Sequence, residues 1–289
     1  MHPAPSIILF TVLSGMGFGL LFFLGLGFGS TGSIALVFFV LAFLLSTGGL
    51  LASTFHLGHP ERALKAFSQW RTSWLSREGC CAVFALVVMT ILAAGRVFSA
   101  AHWSWIGWLG STFCVATVLT TSMIYAQLRT VPRWNSALTP SLFLAYAASG
   151  GALLVGELDW ARLLLAITAG IQLAWWLRGD RALHHSGTSL KTATGLGAIG
   201  NPRSLESPHT EANYLTREMA FVIARHHAKL LRLVAAILAF ALPLILLSLP
   251  HSHLIAAFAV LLHTLGALVS RWLFFAEAEH VVSFYYGVR

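Results

Sequence analysis

The sequence predicts an all-α integral membrane protein, a bundle of eight transmembrane helices with its N- and C-termini on the same, cytoplasmic, side. Three observations carry that prediction. Hydrophobic residues make up 57% of the chain and charged residues only 10%, against roughly half and roughly a quarter in soluble domains. The apolar residues fall into eight runs, each close to the roughly 20 residues that a helix needs to cross a bilayer. The basic residues gather in alternate connections between those runs, which sets the orientation.

The eight runs cover approximately residues 5–28, 32–56, 79–99, 104–127, 138–156, 159–177, 230–249 and 253–275. The first begins without a basic leader and without a small-residue cleavage pattern, so it reads as a retained helix. Its "GMGFGLLFFLGLGFG" contains GxG spacings, but no strand precedes them. Small residues inside a membrane helix serve close helix packing, which is favoured here over a dinucleotide-binding loop. A Gly/Ser/Thr turn joins the first two runs, and a short Pro-His linker joins the last two. Cys80, Cys81 and Cys114 form no CxxC pair, which argues against an iron–sulfur cluster or structural zinc in this chain and for small buried hydrophobes.

The chain reads as a single membrane domain over 1–289 with two polar segments set into it. Residues 57–78 form an amphipathic loop. Residues 178–214, rich in Gly, Ser, Thr and Pro, are too long for an idle connection and suggest a partner-binding loop. After the second segment, "LTREMAFVIARHHAKLLRL" has helical spacing with basic residues on one face, and should lie near the interface or lead into the seventh span.

Eight spans put the 2–3, 4–5 and 6–7 connections on the side of both termini. That side holds sixteen of the eighteen Lys and Arg residues, and the other keeps Arg96 and Arg162. Without the 6–7 connection the bias is still eight to two, and the positive-inside rule makes the rich side cytoplasmic, in a bacterial inner membrane. Trp103, Trp105 and Trp108 then anchor the opposite interface. The formal net charge of +8 thus reflects topology and a partner surface; no nucleic-acid motif or aromatic-basic groove accompanies it.

The stretch "STFHLGHPERALKAFSQWRTSWLSREG", Ser53 to Gly79, concentrates charge in a chain that otherwise avoids it. His56 falls at the end of the second span, and "GHP" breaks the helix. Leu64, Phe67, Trp70 or Arg71, and Trp74 recur at i, i+3, i+4 spacing, and Glu78 opens the third span. An imidazole, guanidinium groups and a carboxyl beside apolar and aromatic walls suit a quinone. The ring needs an apolar slot, its carbonyl oxygens need donors, and its reduction needs protons delivered near neutral pH. The plainer alternative makes Arg62, Lys65 and Arg77 snorkelling anchors and His56 a helix-end cap. The residues so selected for quinone binding are His56, Arg62, Trp70, Arg71 and Glu78; none is assigned a catalytic or metal-ligating role.

"HLGHPERA", followed by "SWLSREG" and "SMIYAQLRTVPRWNSALTP", resembles the membrane-anchor subunit of the dimethyl sulfoxide reductase family of molybdoenzymes, over essentially the whole chain. The resemblance implies an eight-helix anchor that exchanges electrons with the quinone pool. It implies two partners, an iron–sulfur electron-transfer subunit and a molybdopterin catalytic subunit, with those cofactors confined to them. It gives His56 a role in quinone binding and matches Arg62 and Glu78 to the motif's Arg and its acidic residue. The reductases dock their catalytic subunits on the periplasmic side, whereas the charge asymmetry here puts the same loop in the cytoplasm. That placement, with "YLTREMAFVIARHHAKLLRL" and "RWLFFAEAEHVVSFYYG", is more similar to the anchor of cytoplasmic sulfite dehydrogenases, which send electrons from sulfite to quinone. The alternative within the family is a dimethyl sulfoxide or related S- or N-oxide reductase anchor drawing electrons from menaquinol.

Two histidines on facing helices could also hold a b-type haem. His56, His227 and His263 are the candidates, with a polar contact between helices as the simpler reading of His263. A reading from another class is a small-solute or ion transporter, which predicts helices broken near the midplane.

Overall fold

The computed structural model describes residues 3–56, 59–99, 103–203, 205–206, 223–250 and 252–286. All regular structure among them is helical. The chain runs as α1 (Pro5–Gly25), α2 (Gly32–Ala52) with a 3₁₀ turn (Ser53–His56), and a 3₁₀ helix (Pro60–Gln69). It continues through α3 (Trp74–Phe98), α4 (Ser104–Ala126), α5 (Leu138–Val155), α6 (Leu158–His185) and the short α7 (Leu190–Thr194), the last followed by a 3₁₀ turn (Leu196–Ala198). It ends with α8 (Ile223–Ala236), a π-helical segment (Ile237–Ala241), α9 (Leu242–Leu247), α10 (His253–Ala276) and a 3₁₀ helix (Val281–Tyr286). Eight helical segments are long and apolar enough to cross a membrane, with α8, the π segment and α9 combining into one, so the predicted spans are all present.

α1 is the central helix and packs against α2, α4, α5 and α10. Its glycines make this possible. Gly17 lies against the backbone of Leu45 and Ser46 in α2, Gly19 against Ala147 and Gly151 in α5, and Gly25 against Gly107 and Ser111 in α4. Ser111 Oγ adds a 2.9 Å hydrogen bond to the carbonyl of Phe22. The packing role read from span one holds: lipid offers no hydrophobic drive between helices, so close van der Waals approach must supply the attraction. Gly19→Leu would push a side chain into α5 backbone, which cannot yield. A cost of about 3 kcal/mol or more is expected, seen as loss of monodisperse, folded protein after extraction.

Arg96 and Arg162, the two basic residues outside the rich side, are both spent on helix ends. Arg96 donates to the carbonyls of Leu24 (3.1 Å), Gly27 (2.9 Å) and Phe28 (2.9 Å), where α1 terminates. Arg162 Nε donates to Leu247 O at 3.2 Å, where α9 terminates. Carbonyls at a helix end lack their usual i+4 donor, so each guanidinium acts as a cap; Arg96 shares Leu24 O with the Gly27 N–H at 3.2 Å. Trp103, Trp105 and Trp108 are all exposed, and Trp103 also packs on Gly95.

Several boundaries differ from the sequence reading. α3 starts at Trp74, five residues early, because Ser73 caps it by accepting from Ser76 N at 3.4 Å. α6 runs to His185, so residues 178–185 are helix and the predicted 178–214 loop begins later. Arg178 holds that extension by donating to Pro132 O (3.4 Å) and Asn135 O (3.0 Å) in the connection between α4 and α5. Much of the remaining segment, residue 204 and 207–222, lies outside the described residues. The 57–78 loop contains the 3₁₀ helix Pro60–Gln69 and the first turn of α3. Cys114 is buried as expected, whereas Cys80 and Cys81 are only half-buried, and all three are free thiols.

At the end of the bundle where α6 terminates, four charges lock four segments together. Arg133 pairs with Asp180 (2.8 Å) and Glu277 (3.2 Å), and Arg232 pairs with Asp180 (2.5 Å) and Glu277 (2.7 Å). Gly179 lets Arg133 lie flat on α6, since a Cβ there would sit 2.6 Å from Arg133 Nη1. Beyond α10, Val281 N donates to Thr130 O at 2.9 Å, and Val282 N donates to His280 Nδ1 at 3.1 Å. Burial holds His280 below its ordinary pKa. Its neutral form therefore stabilises the fold above the ordinary value, and that contribution is lost as pH falls toward the lowered one. Protection of the 281–286 amides, corrected for the slower intrinsic exchange at lower pH, is expected to fall once pH drops below the ordinary histidine range, because the added proton occupies the lone pair that Val282 uses.

Candidate functional site

The candidate site forms where α2 runs out and α3 begins. α2 ends at Ala52, and the 3₁₀ turn Ser53–His56 follows it directly. His56 ends that turn; its side chain, like that of Arg62, lies outside the described residues. The 3₁₀ helix packs along α3. Phe67 is the contact: a Cβ on Gly79 would stand 3.0 Å from the Phe67 ring. Phe55, Leu64 and Trp70 are more than half exposed, so this edge presents apolar and aromatic surface outward.

Arg77 organises the turn between the two helices. Its Nε donates to Trp70 O at 3.0 Å, its Nη2 to Arg71 O at 2.6 Å, and its guanidinium lies 4.3 Å from the centre of the Trp74 ring. Arg71 stands 5.6 Å over the Trp70 ring and is exposed. Trp70 and Arg71 thus share one face, held in place by an arginine that the sequence reading treated only as a possible membrane anchor.

Glu78 is placed differently. It does not open α3 but sits one turn inside, 3% exposed, facing the bundle interior. Thr121 Oγ1 of α4 donates to its Oε1 at 2.6 Å. Tyr125, one turn further along α4, lies within electrostatic range of both Glu78 and Arg271. The selected residues are therefore divided between an exposed apolar edge, with Trp70 and Arg71, and a buried carboxyl immediately behind it. Ionisable groups at membrane depth are costly to hold and so mark functional sites.

Behind Glu78 the bundle contains polar groups that spacing did not single out. Gln172 Oε1 accepts from Tyr146 Oη (3.0 Å) and Ser270 Oγ (2.6 Å). Arg271 lies 3.7 Å from the centre of the Phe143 ring. Residue 271 sits within an apolar run, a signal that could have singled it out as an ionisable group at membrane depth.

Of the three haem candidates, the side chain of His56 lies outside the described residues, and His227 and His263 lie at different depths. His263 is fully buried on α10 and meets Ala239 O at 2.8 Å, which is the polar inter-helix contact that formed the simpler reading. His227 is exposed near the start of α8. Twelve residues of helix, about 18 Å, separate His227 from the level of Ala239, so these two cannot be axial ligands of one haem. Tyr146 and Phe240 pack beside the His263 imidazole, and the adjoining cavity of ≈ 20 Å³ does not fit a macrocycle. No metal-binding cluster of three or more His, Cys, Asp or Glu occurs among the described residues.

The family model described as DMSO reductase anchor subunit (DmsC) matches residues 1–277. The chain is 31% identical to the C-subunit of sulfite dehydrogenase from Allochromatium vinosum, with 99% of each chain covered. No solved structure matches significantly. An eight-span helical bundle with these matches is a multi-pass membrane protein, and the chain belongs to the DMSO reductase anchor subunit family.

Proposed function

We propose that this chain is the quinone-reactive anchor of a three-subunit molybdenum/iron–sulfur oxidoreductase that passes electrons from sulfite to the quinone pool. The observation that carries the quinone assignment is Glu78: a buried carboxyl oriented by Thr121, directly behind an exposed apolar edge at one end of the bundle. A quinone approaching laterally from the bilayer would lay its ring and tail against Phe55, Leu64 and Trp70. His56 would hydrogen-bond one carbonyl oxygen, Arg62 or Arg71 would polarise the site, and Glu78 would pass protons inward from the edge.

The overall reaction balances as SO₃²⁻ + H₂O + quinone → SO₄²⁻ + quinol. The molybdopterin subunit would take two electrons from sulfite, the iron–sulfur subunit would carry them, and the anchor would supply two protons to the reduced ring. No step uses a haem. Sulfite as the electron source is favoured by the Allochromatium relative and by the charge asymmetry, which supports a cytoplasmic face for the site, both termini and both partner subunits. The partner surface includes the segment 178–214, as far as it lies beyond α6.

The family description favours a second reading, an S-oxide reductase anchor that draws electrons from menaquinol. A reporter fused after Arg289 separates the two. Cytoplasmic activity supports sulfite oxidation; a periplasmic C-terminus would overturn it. The transporter reading has no support from membership in an anchor family.

A further inference from the structure

A small cavity at mid-bundle is bounded by α1, α4, α5, α6 and α10, and no step proposed for quinone uses it. Two of its lining groups are buried polar atoms without a hydrogen-bond partner among the described residues: Arg271 Nη1 and His263 Nε2. Groups of this kind are uncommon, since each costs about 1–3 kcal/mol. What fills the cavity can be read from what the two atoms require.

The histidine tautomer follows from the chain itself. In a regular α-helix the carbonyl of Ala239 would accept from the N–H of residue 243, but residue 243 is proline and has none. The chain passes through its π-helical segment at this point, and His263 Nδ1 comes to 2.8 Å from that carbonyl. Gly266 permits the approach, because a Cβ there would collide with the Ala239 backbone. A carbonyl oxygen only accepts, so Nδ1 carries the hydrogen. Nε2 then presents a lone pair. A second hydrogen on Nε2 would put an imidazolium near the Arg271 guanidinium in a cavity with no carboxylate among its described lining residues.

The cavity therefore needs an acceptor for Arg271 Nη1 and a donor for His263 Nε2. An anion meets only the first need, and a cation only the second. We propose that it is a resident water site. Its ≈ 20 Å³ is room for one or two molecules, given that about 10–15 Å³ is needed for each. Thr11 and Ser14 line the same space and donate their own hydroxyl hydrogens to α1 carbonyls, at 2.9 Å and 2.6 Å. Their oxygens keep lone pairs for the remaining water hydrogens, so each water can reach its usual three or so bonds. The site puts exchangeable protons about 20 Å inside α10 from Ala276, beside the Tyr146–Gln172–Ser270 cluster and on the inner side of Glu78.

Water-edited solid-state NMR on the full chain in lipid bilayers, labelled with ¹⁵N at His and Arg, tests this. His263 is assigned by difference against His263→Gln. Should that variant not fold, selective labelling of the Leu262–His263 pair leaves only Leu183–His184 to distinguish. The expected result is a protonated Nδ1, an unprotonated Nε2, and transfer from water to both His263 and Arg271. An Nε2–H tautomer, or absence of water transfer at His263 while loop residues show it, would overturn the proposal. A change in the Arg271 signal when chloride is exchanged for gluconate would assign the cavity to a halide and overturn it equally.

Discussion

His56→Ala in the assembled complex is expected to lower quinone-linked turnover by ~10²- to 10⁴-fold, the range that a positioned acid–base group contributes, with subunit stoichiometry unchanged. Glu78→Gln should fall in the same range. Glutamine keeps the shape of Glu78 and can still accept from Thr121 Oγ1, now bonded at 2.6 Å, but it cannot carry a proton. Reduction of a soluble one-electron acceptor by the catalytic and iron–sulfur subunits serves as the control and should be unaffected. Normal quinone reduction in both variants would sink the site. Thr121→Val should give a smaller loss, since it removes the orienting bond and leaves the carboxyl.

The second large effect concerns the four-charge lock. Glu277→Ala removes a carboxylate only 3% exposed on its side chain and leaves Arg133, 9% exposed, without one of its two partners. Breaking a buried pair by removing one member costs about 3–5 kcal/mol. The midpoint of thermal unfolding should therefore drop by several degrees in the isolated anchor. Asp180→Ala should cost less, because Asp180 is 44% exposed and water takes over part of its role. If the two variants are equally destabilised, burial is not what sets the strength of the lock.

Much of the candidate site was legible because lipid makes charge conspicuous. In a chain that is 10% charged, a cluster between His56 and Glu78 stands out without any structure. What spacing could not supply was the direction in which each residue points. Trp70 and Arg71 face outward, and Glu78 faces inward, although all three were selected as one quinone site. The reason is the earlier start of α3, fixed by Ser73, which carries Glu78 past the edge and into contact with α4. Arg77 looked like one more interface anchor, and its bonds to Trp70 O and Arg71 O depend on a turn that periodicity does not predict. Depth was hidden in the same way: span membership did not show that His227 and His263 lie about 18 Å apart along the helix direction.

The sequence alone determined the eight spans, the close packing of α1 through its glycines, the family, and the stretch where charge meets the membrane edge. Those follow from composition and periodicity, because burying a peptide in lipid forces it to be helical and apolar over a set length. The tertiary structure decided which polar side chains meet. Glu78 with Thr121, the lock of Arg133, Asp180, Arg232 and Glu277, and His263 with the carbonyl that Pro243 leaves free each join residues from different helices. Such pairings depend on helix rotation and depth, which the packing of all eight spans sets together.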